Sequence, residues 1–230
     1  KDGMNLHGWH LLGSGSSSNK TLFLHFHGNA QNITAHYMNF AWLTKRGHDV
    51  MIFDYRGYGS STGTPSPSGT NIDALTFLNY GAEHFNKGGY QKLVVIGQSL
   101  GGLILLRALE DFAKQEMIDL MILDSTFSSY QQIAFDRATS FWPTYLLSPL
   151  VYLLVSDHMA PKKMNQINIP ALVVHGGSDR VVPYKFGVKI FEALSEPKDI
   201  WKIPKGKHIM LFIEKENQRR LIKRLAKSKK

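Results

Sequence analysis

The feature that most constrains this chain is an alternation. Short runs rich in β-branched and aromatic residues recur between longer stretches with helical spacing. "TLFLHFH" (21–27), "HDVMIFD" (48–54), "KLVVIG" (92–97), "DLMILD" (119–124), "PALVVHG" (170–176) and "DIWKIP" (199–204) read as strands. Helices are expected at 34–46, 71–86, 99–114, 184–195 and from about 209, the first capped by Thr34 and stopped at Gly47. Residues 4–11 read as a further short extended segment, followed by the flexible "GSGSSSNK". The inner runs are apolar along nearly their whole length, which requires helices on both faces of the sheet. The expected fold class is therefore α/β, a mostly parallel central sheet with helices on both faces. Right-handed crossovers then bring every strand's C-terminal end to one edge, where such sheets bind ligands.

The alternation breaks at 125–165, which is aromatic-rich, has helical patches and contains no clear strand. It is too long for a bare loop and reads as a small helical cap inserted over that edge. The 230 residues, 43% of them hydrophobic, suit a single domain spanning 1–230. The absence of cysteine excludes disulfides, zinc–thiolate sites and a cysteine nucleophile. The formal net charge is +9, but seven basic and no acidic residues fall in 219–230, "RRLIKRLAKSKK". The body is nearly balanced, so nucleic acid is not an expected partner. The tail reads as a solvated helix end whose cations complement the helix dipole. A rival reading pairs it with the apolar "SFWPTYLLSPLVYLLV" for peripheral contact with an anionic membrane surface. No stretch is long enough to span a bilayer. The chain opens at Lys1 without a methionine, and the expectation is a cytoplasmic or membrane-associated protein trimmed of an N-terminal segment.

The chemistry concentrates at strand ends. Gly97-Gln98-Ser99-Leu100-Gly101 is a weak pattern alone, but it stands where a strand stops and a helix starts. A nucleophilic serine there must sit on a strained turn, so its neighbours must be small; Gly97 and Gly101 meet that need, and Gly102 lets the helix pack close. The bland alternative is a serine in an ordinary βα turn. A serine needs a base. His208 lies just past the last strand, on the right edge; His158 in the cap and His175 before the 176–180 turn are less well placed. The base needs an orienting carboxylate. Asp179 sits in a turn beyond strand 170–176, and Asp124, at the end of 119–124, competes with it; Asp124 reads better as support for the turn into the cap. An oxyanion hole needs two backbone N–H groups. Leu100 follows the nucleophile, and Asn29, after Gly28, presents the second. His27 reads as a loop-holding residue.

No cofactor or metal is expected. Gly57, Gly59 and Gly63 misplace the third glycine of a dinucleotide loop, and His25 with His27 lack a neighbouring carboxylate. The cap aromatics, Phe127, Tyr130, Phe135, Phe141, Trp142, Tyr145 and Tyr152, with Leu146, Leu150 and Leu153, read either as an acyl-binding wall or as a satellite core.

"HFHGNAQN", "FDYRGYGSSTGTPS", "GQSLGG", "DSTFSS" and "HGGSDRVVP", in this order, resemble the α/β-hydrolase-fold serine hydrolases. The resemblance is to the compact branch related to prolyl-oligopeptidase-type peptidases, depalmitoylating thioesterases and monoacylglycerol or lysophospholipid lipases. It covers nearly the whole chain, and it is specific for fold and triad rather than substrate. It implies a triad of Ser99, Asp179 and His208, with Asn29 and Leu100 as oxyanion donors. Such proteins usually place a glycine directly before the histidine, where this chain has Lys207. The expected activity is hydrolysis of a carboxylic ester or thioester through an acyl-enzyme on Ser99. The alternatives are a serine peptidase of the prolyl-oligopeptidase type and a non-catalytic binding or scaffold module.

Overall fold

A computed structural model describes residues 2–15, 19–140 and 142–227. Part of the linker (16–18), Phe141 of the cap and the last tail residues (228–230) lie outside the described residues. Seven strands form one sheet: β1 Gly8–Leu11, β2 Thr21–Phe26, β3 Asp49–Phe53, β4 Lys92–Gln98, β5 Leu120–Asp124, β6 Ala171–Gly176 and β7 Lys198–Ile203. The order is β1-β3-β2-β4-β5-β6-β7. Only the β1–β3 pairing is antiparallel; every other neighbour pair is parallel.

Eight helices accompany these strands among the described residues. They are α1 Ile33–His36, α2 Met38–Ala41, α3 Pro67–Lys87, α4 Leu100–Asp111, α5 Tyr130–Ser140, α6 Val151–Leu154, α7 Tyr184–Ala193 and α8 Lys215–Lys227. The inner strands are buried along their length because each face has its own core. Leu22, Leu24, Phe26, Val95, Leu123 and Val173 point to a core shared with residues of α3, α4 and α7. The intervening Phe23, Val94, Ile96, Ile122, Leu172 and Val174 point to a second core with Phe40, Leu43, Leu221 and Leu225. Strand period and helical covering thus account for the uniform hydrophobicity of these runs.

Three local expectations change. The helix expected at 34–46 is a chain of short turns. Asn32, not Thr34, caps α1, accepting the Thr34 N–H at 2.9 Å. Bonds from the N–H groups of Phe40, Leu43, Arg46 and Gly47 reach back only three residues, tightening the path away from a regular α-helix. Gly47 ends it at φ 81°, as expected. The next helix begins four residues earlier than expected, because Ser66 caps it and Pro67 supplies a pre-set first-turn φ. The last helix begins at Lys215 rather than near 209, since Ile209 takes a left-handed φ of 49° and 211–213 is a single 3-10 turn.

The β3–α3 loop, which follows the C-terminal end of β3, is anchored by a buried ion pair. Arg56 Nη2 and Nε donate to Asp73 Oδ1 at 2.7 and 3.1 Å, and the Arg56 backbone N–H donates to Asp73 Oδ2 at 2.9 Å. Asp73→Ala leaves the guanidinium with Asp2 as its one carboxylate. The expected loss is about 3 kcal/mol of unfolding free energy in urea titration; a loss below about 1 kcal/mol would mean the pair does not anchor the loop.

Candidate active site

Ser99 occupies the turn between β4 and α4 at φ 51° and ψ −118°. A positive φ is costly for any residue with a side chain. Here neighbours without one make it possible. A Cβ on Gly97 would overlap the Gly102 backbone, one on Gly101 the Phe26 carbonyl, and one on Gly102 the Thr126 side chain. The turn is pinned on both sides. The Ser99 N–H donates to the Asp124 carbonyl at 2.9 Å, and the Thr126 hydroxyl donates to the Ser99 carbonyl.

His208 Nε2 lies 3.0 Å from Ser99 Oγ, and His208 Nδ1 lies 2.8 Å from Asp179 Oδ2. A carboxylate can only accept, so Nδ1 carries the proton and Nε2 is free to accept from the serine hydroxyl. The other Asp179 oxygen accepts the N–H groups of Val181 and Val182, each at 2.8 Å. Burial by itself would raise this carboxyl's pKa. The His208 hydrogen bond and the two backbone N–H groups outweigh burial and hold it below the ordinary carboxylate value. His175, fully buried, bonds through Nε2 to the Val182 carbonyl at 2.8 Å and braces the same turn; burial lowers its pKa. His158 is exposed. The glycine usual before the histidine stands one residue earlier in this chain. A Cβ on Gly206 would overlap Leu211, while Lys207 is exposed.

Leu100 is the first residue of α4, so its N–H is one of those with no intrahelical acceptor. Asn29 follows Gly28, where an added Cβ would sit 3.6 Å from Ser99 Cβ. The Tyr58 hydroxyl donates to Asn29 Oδ1 at 2.8 Å. Asn29 and Leu100 line one cavity of about 330 Å³, together with Tyr58, Ile104, Tyr130 and Met159. A larger cavity of about 470 Å³ runs along β1 and α3 and includes none of the five residues singled out from sequence. His27 holds its loop: Nδ1 bonds to the Gly28 carbonyl at 2.8 Å, and Tyr55 donates to the His27 carbonyl at 3.2 Å.

Asp124 makes no contact with His208 of the kind Asp179 makes. It is wholly buried and accepts from Gln98 Nε2 at 2.8 Å and Ser125 Oγ at 2.9 Å. Gln98 Oε1 in turn bonds to His25 Nε2 at 2.9 Å and accepts from Asn39 Nδ2 at 3.0 Å. Ser125 Oγ accepts the Ile209 N–H at 3.2 Å. One buried polar network therefore joins the residue before Ser99 to the residue after His208. Sequence reasoning missed Gln98 and Tyr58; the signal for Gln98 was a polar side chain between two apolar-strand ends. Burial pushes the Asp124 carboxyl up to about 6 and the His25 imidazole down to about 3.

The cap aromatics divide. Phe127 joins the main core, Tyr130 lines the 330 Å³ cavity, and Phe135 packs on Tyr152 with ring centroids 5.4 Å apart. Trp142, Tyr145, Leu146, Leu150 and Leu153 are exposed, so they form neither a wall over Ser99 nor a satellite core.

The alpha/beta hydrolase fold model matches residues 21–150. The chain is 35% identical over 218 residues to the uncharacterized protein YfhR of Escherichia coli K12, covering 94% of this chain and 73% of that protein. It therefore belongs to the α/β hydrolase fold family. It is also 26% identical over 227 residues to the lysophosphatidylserine lipase ABHD12 of Danio rerio, covering 87% of this chain and 58% of that one. Its fold resembles that of the esterase Pf2001 of Pyrococcus furiosus, with TM-score 0.70, 21% identity, and coverage of 97% of this chain and 87% of that one.

The buried Asp124 has a measurable signature. Between its ordinary value of 3.8 and about 6, the folded state holds a proton that the unfolded state releases. Stability from this group is therefore full below that window and lost as pH rises through it. Asp124→Asn removes the titration. The unfolding free energy of wild type minus variant should fall by about 3 kcal/mol between roughly pH 4 and pH 7. A constant difference across that range would show that Asp124 titrates at its ordinary value.

Proposed function

We propose that this protein is a serine hydrolase that cleaves a carboxylic ester or thioester through an acyl-enzyme on Ser99. The chain is read as one hydrolase domain, with 125–165 as its cap. The observation that carries the reading is the hydrogen-bonded line Ser99 Oγ to His208 Nε2 and His208 Nδ1 to Asp179, at 3.0 and 2.8 Å, built on a serine at positive φ.

His208 Nε2 takes the hydroxyl proton as Ser99 Oγ attacks the acyl carbonyl. Asp179, ionised at neutral pH, holds the imidazole tautomer and stabilises the imidazolium that forms. The N–H groups of Asn29 and Leu100 bind the developing oxyanion. His208 then protonates the leaving alcohol or thiol. Water, deprotonated by the same imidazole, hydrolyses the acyl-enzyme and regenerates Ser99. The cavity beside the proposed oxyanion donors takes the acyl chain. Its size is at the lower end of small-molecule sites, and Leu100, Ile104, Met159 and Val155 make much of its wall apolar. Likeness to esterases and to a lysophosphatidylserine lipase supports an acyl ester as substrate class.

A fluorophosphonate probe should label wild type at Ser99 and leave Ser99→Ala unlabelled. Absence of wild-type labelling, or equal labelling of Ser99→Ala, would overturn the hydrolase reading in favour of a binding module. Asp179→Asn should retain the fold and lose about 10⁴-fold in kcat against a soluble p-nitrophenyl ester.

Acyl length should follow the cavity. Across a p-nitrophenyl ester series, kcat/KM should rise by up to about fourfold per added methylene until the cavity fills. Met159→Trp should move the optimum to shorter chains. An optimum unmoved by that substitution would place the acyl group elsewhere.

A further inference from the structure

The most unusual surface of the molecule is the outer face of the cap. Trp142, Leu146, Leu153 and Leu154 are each at least 80% exposed, and Tyr145 and Leu147 about 60%. All lie within thirteen consecutive residues, a concentration of exposed large apolar side chains of the kind that marks an interaction surface. The segment keeps its shape without burying these side chains. Gln131 Nε2 donates to the Tyr152 and Val155 carbonyls at 3.3 and 3.0 Å, and Ser148 Oγ donates to the Tyr145 carbonyl at 2.7 Å. Asp157 accepts from Ser129 Oγ and the Tyr130 N–H at 2.7 and 2.8 Å. Polar ties to the main chain help hold the segment, and Trp142, Tyr145, Leu146, Leu147, Leu153 and Leu154 are left exposed.

We infer that this face docks the enzyme on an anionic phospholipid bilayer, so that the acyl chain of a membrane lipid passes directly into the cavity beside Ser99. This rests on the hydrolase reading above. Three observations choose a bilayer over another occupant. The chemistry suits an interface: Leu side chains sit among Trp and Tyr, whose rings favour the headgroup level. The charge suits an anionic one. From Ala138 to Ser156 there is no charged residue. The flanking acids are engaged within the protein, Asp136 by Lys185 and Asp157 by the contacts above. On the same edge Arg137 is bound only to the carbonyls of Arg180 and Val181, and no carboxylate lies within 4 Å of Arg137, Arg180, Lys205 or Lys207 among the described residues. The position suits a lipid substrate, because Val155, Ser156 and Met159, which follow Leu154 in the chain, line the 330 Å³ cavity itself.

The docking proposed is that of the cap face alone; residues 228–230 of the basic tail, which the sequence pairs with that face, lie outside the described residues. Lys92, at the start of β4, donates to the Leu225 carbonyl. Ile222, Leu225 and Ala226 line a cavity with Thr21, His48 and Lys92, at the strands' N-terminal edge. The described end of α8 therefore lies at the strands' N-terminal edge, about 20 Å along β4 from the edge that Ser99 follows.

The test is vesicle co-sedimentation of the full chain, using phosphatidylcholine alone and phosphatidylcholine with about one third phosphatidylglycerol. Wild type and Ser99→Ala should bind the anionic vesicles equally, and raised salt should weaken that binding. The triple variant Trp142→Ser, Leu146→Ser, Leu153→Ser should lose on the order of 100-fold in partitioning. It should still react with the fluorophosphonate probe and hydrolyse a soluble short-chain ester at the wild-type rate, which also shows that it is folded. No wild-type binding, or equal binding by the triple variant, overturns docking while leaving hydrolysis intact. Equal binding to both vesicle types overturns the anionic assignment. A wild-type dimer by light scattering that the triple variant converts to monomer, without vesicle binding, makes the face a self-association surface instead. Vesicle binding by a chain that the probe does not label would separate the outcomes the other way, leaving docking intact and removing hydrolysis.

Discussion

The site depends on one backbone turn. Ser99 stands at φ 51° between a buried strand and a buried helix, in a region of conformational space that a serine occupies at a cost of about 1–3 kcal/mol. That strain persists because the surroundings over-determine it. Glycines at 97, 101 and 102 let β2, β4 and α4 approach closer than any Cβ allows, and the Asp124 carbonyl and Thr126 hydroxyl hold the turn from two sides. Relaxing it would move Oγ away from His208 and the Leu100 N–H away from the cavity together. Placement of the proposed nucleophile and of the proposed oxyanion donor is one constraint rather than two.

Around this turn lie two layers of carboxylate with opposite electrostatics. Asp179 is buried but receives an imidazole N–H and two backbone N–H groups, which keep it charged. Asp124 is buried among neutral donors, and burial raises it to about 6. Each is placed by its donors. A carboxylate proposed to steady a charged imidazole needs ionic character, whereas one that links Gln98, Ser125 and thereby the Ile209 backbone needs only acceptor oxygens. The network fixes the loop that carries His208 to the strand that carries Ser99.

Much of this was legible in the primary structure. The sheet's class and the residues brought to its C-terminal edge follow from periodicity and from which residues come after each strand, both local properties. Ser99, Asp179 and His208 each follow a different apolar run, and parallel pairing brings those ends together regardless of detail. The failures were also physical. Thr34 was a plausible cap, but Asn32 was two residues nearer the extended backbone a cap requires. Pro67 fell outside the helix expected at 71–86, although proline belongs in a first helical turn. The Gln98–Asp124 network joins residues 26 apart, and its extension to Ile209 spans a further 84; no local pattern encodes such a pairing.

The strands themselves, the glycine-flanked serine and the two side chains that line up with it follow from local hydrophobic period, glycine placement and the residues after each strand, which a linear chain carries in full. The direction faced by the cap's aromatics and the side of the sheet on which α8 ends do not. An apolar run in 142–154 reads equally well as core or as surface, because hydrophobicity specifies a preference for leaving water without specifying against what. Packing decided that: both sheet faces were already covered, the segment found its order in polar ties, and its apolar groups were left outside.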